Sequence, residues 1–502
     1  MRSIRPDSVR VGLSKFKALA LAGLWASIAT CGNASEATPK ANPGESVSSL
    51  PGPLRVLKTN PRYFTADGST AVYLTGSHTW SDLQDMTGGS DPGVAINSYN
   101  GCDSGEACFR QFLSWAKRHN HNFIRLWRAE HTYNGTYRMT PHPYARTGPG
   151  TMPDGGLKFD LNTFDQNYFD RLRSRCVAAE NAGFYVSIML FDEGGVENAT
   201  PWENNPFNIG SNINGVNGEL GRYRLGIGTH TMSSSSIVKR QEAYIRKVID
   251  TVNDLNNIVY EVANESSTQI AWQNHVIDYI RAYEGGKSKQ HPIGTNIGGG
   301  KRGEINDAVL LGKCHADFVG PNCLGAGNSY DTDPPMSSGA RVIISDTDHI
   351  FGIGGDTAWV WKTFTRGLNP IYMDPYFSNA QTGDEGARWA MGDTLSYARR
   401  MNLATMTPSN SSTSTSYSLV NSGGEYLAYN PGAGNITIKS LPTGTYTYEW
   451  FNTLSRITSV TFTESVTSTG PFTPANASAG MGNVLYLKKS TTGVEAPVKG
   501  EK

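Results

Sequence analysis

Eight times between Arg55 and Asn402 a short apolar, β-branched run is followed, in most cases, by a longer stretch with helical spacing of its apolar residues. That alternation admits few folds, because parallel strands need long crossover connections and a helix is the usual crossover. The strand-like runs are Val72 to Leu74 leading into Gly76-Ser77-His78, Phe123 to Trp127, Tyr185 to Phe191, Ile258 to Ala263, Pro292 to Thr295, Asp317 to Gly320, Arg341 to Ser345 and Pro370 to Met373. Helical patterns fall at Cys108 to His119, Asn162 to Ala182, Ser236 to Leu255, Ala271 to Tyr283, Thr357 to Thr365 and Glu385 to Met401. The pattern predicts an α/β fold of the (β/α)8 TIM-barrel type over residues 55–405, with a doubly wound open sheet as the alternative.

The flanks have a different texture. Arg2, Arg5, Arg10, Lys15 and Lys17 precede the apolar run Ala18 to Ala29 and small residues up to Ala37. This is the layout of a secretory signal peptide, and the run is too short to span a membrane. Residues 1–37 are therefore expected to direct export to a secreted or periplasmic location, with a lipid anchor on Cys31 as the alternative, and 38–54 to form a linker. After the barrel, Ser409 to Ser416 reads as a polar linker or outer loop. Short alternating runs at Glu425 to Tyr429, Asn435 to Ile438, Tyr446 to Phe451, Ser459 to Phe462 and Val484 to Leu487 then predict a small C-terminal β-sandwich over 406–490, followed by a frayed tail over 491–502. Cys102 and Cys108 flank one short loop and Cys314 and Cys323 another, so two local disulfides are expected, with Cys176 left as a buried small residue.

Lys plus Arg and Asp plus Glu both number 44, so a net electrostatic attraction to nucleic acid or to an anionic membrane is not expected. In a barrel, chemistry sits on the loops after the strand C-termini. Strand one runs into His78 and Trp80, strand two into Trp127, Arg128, Glu130 and His131, and strand three into Asp192 and Glu193. Strand four runs into Asn264 and Glu265, strand six into Asn322, strand seven into Asp346, Asp348 and His349, and strand eight into Asp374 and Tyr376. Two long loops, 130–158 and 192–235, carry Tyr133, Tyr137, Tyr144, Trp202, Phe207 and Tyr223 and are expected to wall a cleft.

Carboxylates facing each other across a barrel mouth, among Trp and Tyr, suit hydrolysis of a glycosidic bond. One acid protonates the leaving oxygen, the other attacks the anomeric carbon or activates water, and aromatic faces stack on the sugar. Glu265 is the expected acid/base, with Asn264 beside it to hold a hydroxyl. Asp346 is the expected nucleophile on strand seven, with Asp348 on the same face to tune it or to bind a hydroxyl. Arg125 is expected to pair with the strand-seven carboxylate, and His78, Trp80, Trp127, His131, Asp192 and Asp374 to contact a carbohydrate substrate. Strand one is not followed by His-x-His, and the chain has no His-Glu-x-x-His and no Gly-x-Gly-x-x-Gly after a strand, so neither metal nor cofactor is expected. The rival reading is a non-catalytic carbohydrate-binding or adhesion protein on a degenerate barrel, which would keep the aromatic cleft and lose the acid pair.

The segments PRYFTADGSTAVYLTGSHTW, NFIRLWR, NIVYEVANES and GEYLAYNPGAGNITIKSLPTGTYTYEWFN resemble glycoside-hydrolase-like barrels of the apiosidase-like group, which carry a C-terminal collagen-binding-type β-sandwich. The resemblance implies a barrel of the large retaining superfamily, whose acid/base glutamate follows an asparagine at strand four, here Asn264 and Glu265. The superfamily's strand-seven nucleophile is a glutamate, whereas this strand ends in Asp346 and Asp348.

Overall fold

The computed structural model describes residues 50–88, 105–220, 225–265, 270–297, 313–321, 329–350, 352–374, 385–432, 434–475 and 483–490. The expected signal peptide, the greater part of the linker after it, Cys102, Tyr223, Asn322, Cys323, Tyr376 and the tail lie outside the described residues.

The barrel strands are β1 (Gly76–His78), β2 (Phe123–Leu126), β3 (Tyr185–Asp192), β4 (Ile258–Asn264), β5 (Ile293–Ile297), β6 (Phe318–Pro321), β7 (Val342–Asp346) and β8 (Asn369–Met373). They form one eight-stranded parallel sheet in the order β1-β8-β7-β6-β5-β4-β3-β2. The two end strands meet without a ladder. Asn122 closes the seam, its backbone N–H donating to Thr75 O at 3.1 Å and its Oδ1 accepting from Thr75 N at 3.0 Å. Gly76 is required there, since a Cβ at that position would stand 2.3 Å from the Phe123 carbonyl oxygen. The first strand is shorter than its apolar run: Val72 exchanges backbone hydrogen bonds with Phe64 outside the barrel, and only Gly76–His78 enters the parallel sheet.

Helices pack around this sheet: α1 (Gly105–Arg118), α2 (Gln166–Ala182), α3 (Ser235–Val252), α4 (Ile270–Glu284), α5 (Thr357–Thr365) and α6 (Glu385–Arg400). Their ends follow local chemistry. The Asp165 side chain caps the first turn of α2 by accepting from Asn167 N, and Gly183 ends the helix with φ of 87°. None of the described helices is long and apolar enough to cross a membrane.

The barrel interior is layered by the two-residue period of its strands. Phe123, Tyr185, Val259, Phe318 and Val342 make an apolar floor with Phe64 and Leu74. Two residues further along their strands, Arg125, Ser187, Glu261 and Gly320 face a small cavity together with Asn296, Ile344, Asp346 and His349. The interior therefore turns from oily to ionic toward the C-terminal mouth, which is where the site lies.

After the barrel helices come β9 (Thr407–Ser409), β10 (Tyr417–Asn421), β11 (Glu425–Tyr429), β12 (Ile438–Leu441), β13 (Gly444–Phe451), β14 (Phe462–Val466), β15 (Gly470–Phe472) and β16 (Val484–Lys489). Six make an antiparallel sheet in the order β9-β10-β11-β16-β13-β14, and β12 pairs with β15. Tyr426, Ile438, Leu441, Tyr448, Trp450, Leu485 and Leu487 share one core between the two sheets. The polar stretch 409–416 lies between two paired strands, β9 and β10, and Ser418 Oγ donates to Ser409 O at 2.7 Å across it.

Of the two expected disulfides, the one between Cys314 and Cys323 needs correcting. Cys314 is a free, buried thiol, so it forms no disulfide with Cys323. Its place is structural: its carbonyl accepts from Arg341 Nη2 at 2.6 Å, and burial raises its thiol pKa. Cys176 is likewise free and buried in α2.

Candidate active site

β4 is apolar up to Glu261 and again at Val262 and Ala263, and it ends on Asn264 with every residue buried. Glu265 follows in the left-handed backbone region, φ 54°, an uncommon state for a residue with a Cβ. Its N–H donates to Asn296 Oδ1 at 3.0 Å, which ties the turn to β5. The reversal sets Glu265 on the wall of a cleft of about 290 Å³. Trp80, Trp127, Tyr137, Met86, Met139 and Pro201 supply its apolar walls, and His131, Asp192, Asn134, Asn198 and Asn264 line it beside Glu265. Trp80 and Trp127 meet edge to face at 6.5 Å between ring centroids.

Below this cleft lies a cage of charge. Arg125 donates to Glu261 through Nε at 2.8 Å and Nη2 at 2.5 Å, and Nη2 also reaches Asn264 Oδ1 at 2.8 Å. Its Nη1 stands 3.4 Å from Asp346 Oδ2 and 3.7 Å from Asp348 Oδ2. Asp346 Oδ1 takes His78 Nε2 at 2.9 Å and the backbone N–H of Asp348 at 3.0 Å. His349 Nε2 meets Asn264 Oδ1 at 2.6 Å, so Asn264 is gripped from β2 and from the turn after β7 together.

The cage separates its carboxyl groups by protonation. Burial favours the neutral form of Asp346, but His78, His349 and Arg125 outweigh it and hold this carboxyl well below the usual range. Asp348 is pushed up to about 7 by burial and by the Asp346 charge. Burial also raises Glu265, against Arg125 and with the help of Glu197 and Asp346. Asp192 is raised well above a normal aspartate by burial and by Glu130 and Glu265. The arrangement favours the ionised form of the Asp346 carboxyl on β7 and shifts the Glu265 carboxyl, on the turn after β4, the opposite way, toward its protonated form.

The expected site residues divide into three groups. Trp80, Trp127, His131, Asp192, Asn264 and Glu265 line the cleft. Among the described residues neither ring nitrogen of His131 has a hydrogen-bond partner, and burial lowers its pKa to about 4, so a neutral imidazole faces the cleft. Arg125, His78, Asp346 and Asp348 belong to the cage beneath and are at most 9% exposed. Asp374 does not line the described cleft: Arg388 grips it with Nε at 3.0 Å and Nη2 at 2.6 Å.

Several residues of the site escaped the sequence reading. Glu261 sits inside an apolar strand run, and the signal was its charge at an inward position of a strand otherwise buried on both faces. Glu130 was visible at a strand end, but its partner was not: His230 Nε2, at the end of a short 3-10 helix a hundred residues on, meets Glu130 Oε1 at 3.0 Å, while the same oxygen accepts from Asp192 N at 2.9 Å. Asp82, raised to about 7 by burial, accepts from Trp127 N at 2.9 Å and so fixes the aromatic wall. Among the described residues no cluster of His, Cys, Asp and Glu could hold a metal ion.

Residues 109–320 match the family model described as Domain of unknown function (DUF6298). No curated protein matches the chain. Among solved structures the chain is similar to a glycoside hydrolase at 12% identity, with a TM-score of 0.54, over 88% of this chain and 98% of that one. It is also similar to a glycoside hydrolase family 5 protein from Bacteroides vulgatus at 10% identity, with a TM-score of 0.53, over 88% of this chain and 94% of that one. At such identities the likeness is one of fold, a barrel.

Proposed function

We propose that the chain is a glycoside hydrolase acting on a poly- or oligosaccharide by a retaining mechanism, with Glu265 as acid/base and Asp346 as nucleophile. One observation carries the reading: Glu265 stands on an aromatic-walled cleft with its pKa raised by burial, while His78 and Arg125 pull the Asp346 carboxyl beneath it the other way, well below the usual range. Environments that drive two carboxyls apart in this way assign one to give a proton and the other to meet developing positive charge. Glu265 would protonate the leaving oxygen, Asp346 would attack the anomeric carbon, and Glu265 would then deprotonate the water that releases the sugar. Asn264, locked by Arg125 and His349, would hold a hydroxyl next to the reacting centre. Trp80 and Trp127 would stack on the sugar's C–H face. The similarity to solved glycoside hydrolases supports the reading at the level of fold, and the resemblance of the Asn264-Glu265 motif to the apiosidase-like group supports it at the level of residues. The basic and apolar leader supports export.

The purified protein is tested on a broad glycan panel beside Glu265→Gln. The expected result is sugar release by wild type and a loss of roughly 10² to 10⁴ in the variant, the usual scale for a general acid/base. Proton NMR of the first-formed anomer checks retention. Binding of glycans without release by wild type would replace this reading with the non-catalytic one.

A further inference from the structure

Glu261 and Arg125 line the small cavity beneath the cleft rather than the cleft itself, and two hydrogen bonds join them, one of them at 2.5 Å. Glu261 Oε2 accepts from Arg125 Nε at 2.8 Å and from Ser187 Oγ at 3.2 Å, and its Oε1 accepts from Arg125 Nη2 at 2.5 Å. A planar guanidinium held along one edge by two such bonds cannot turn. Its orientation then decides what the other N–H groups meet. Nη2 also reaches Asn264 Oδ1, the residue next to Glu265, while Nη1 points between Asp346 and Asp348 and makes a hydrogen bond to neither. We infer that Glu261 is a positioning residue of the mouth, acting through Arg125: its bidentate grip fixes the plane of the guanidinium and offsets the arginine's charge before that charge reaches the acids above.

The offset matters because of what faces the arginine. Asp346, Asp348, His349 and His78 stand on its β7 and β1 side, and Asn264 and Glu265 on β4. Around Glu265 and Asp192 there are also Glu197 and Glu130, from the loops after β3 and β2. Arg125 favours the ionised form of Glu265, opposing burial. With Glu261 neutral, the whole arginine charge would act on that carboxyl, and Glu265 would lose its proton at lower pH. Glu261 thus helps keep Glu265 a proton donor although it never meets the cleft.

The test is the titration of Glu265 itself, followed by 13Cδ-glutamate NMR with the signal assigned by its loss in Glu265→Gln. In Glu261→Gln the midpoint is expected to fall by about one pH unit, the scale of one unmasked neighbouring charge, and in Glu261→Asp, which keeps the charge, most of the fall should vanish. An unchanged midpoint in a folded Glu261→Gln protein, or an Asp variant that titrates like the Gln one, overturns the inference. A second readout does not need Glu261→Gln to fold. In wild type the Arg125 Nε–Hε signal, assigned by its loss in Arg125→Lys, should report a guanidinium that does not rotate, and it should broaden in Glu261→Asp. A freely rotating guanidinium in wild type overturns the inference. The catalytic consequence, an alkaline limb of the pH–rate profile shifted to lower pH in Glu261→Gln, rests on the hydrolase reading; the titration does not. Wild type without hydrolytic activity therefore refutes the hydrolase and leaves the role of Glu261 to be decided by NMR.

Discussion

Asp348 holds its proton to about pH 7 because its carboxyl is buried beside an ionised Asp346. A carboxyl raised in the folded state contributes stability that is complete below the usual carboxylate range, near 4, and is lost as pH rises through about 7. Asp346 has the opposite sign: its stabilisation is present above the carboxylate range and disappears only in strong acid, so it adds no slope near neutrality. Glu265 and Asp192 slope like Asp348, but they remain in the variant, so the larger part of their contribution is common to both proteins. Asp348→Asn is therefore expected to melt at least about 2 °C higher, relative to wild type, at pH 8.5 than at pH 5. Melting curves at the two pH values check this, and a constant difference would mean that Asp348 titrates as an ordinary surface acid. At this scale the site was half legible. Glu265 could be found because a strand followed by Asn-Glu puts an acid where barrel chemistry happens. Glu261 could not, since a charged residue in the middle of an apolar run declares its role only through Arg125, two strands away.

Among the elements, β1 depends most on a single residue. It joins β8 by a regular ladder, but at β2 the sheet is closed by the Asn122 hydrogen bonds and the bare backbone of Gly76. The atom a methyl group would strike is a carbonyl oxygen of β2, with His121 Cβ next at 3.1 Å, so no flexible side chain can give way. Gly76→Ala should cost about 1–3 kcal/mol, as other forced overpackings do. A shift in the denaturant midpoint at unchanged slope checks it, and a midpoint equal to wild type would show that the seam opens without cost. The other barrel strands were plain in the sequence because strands buried on both faces become continuous apolar runs. The smaller C-terminal strands were harder. Asn435 to Ile438 reads as a strand, yet the paired segment is Ile438–Leu441, because its partner Gly470–Phe472 lies some thirty residues away and sets the register through a bulge. Alternation within the run does not contain that information.

At the scale of the whole molecule, the barrel and the C-terminal sheet share side chains rather than merely touching. Trp361 on α5 is fully buried, stacked on Tyr429 of β11 at 6.0 Å and tilted against Phe451 of β13 at 5.8 Å. Glu449 on β13 accepts from Tyr397 OH at 2.9 Å and from both Arg400 Nη atoms at 2.9 and 2.8 Å, all three donors lying on α6. The N-terminal segment joins in, with Asn60 Nδ2 donating to Leu403 O at 3.1 Å and Met406 O at 2.8 Å where the chain leaves the barrel. Ending the chain at Asn402 would uncover Trp361 and Tyr397, each worth roughly 1.5–3 kcal/mol when buried, and would leave the Arg400 guanidinium without its carboxylate. The full chain is accordingly expected to unfold in a single calorimetric transition, and the shortened chain to melt lower and to bind a hydrophobic dye before it unfolds. A shortened chain with the melting temperature of the full one would mean that the barrel stands without the sheet, and that Trp361 and Tyr397 serve only to hold the sheet in place.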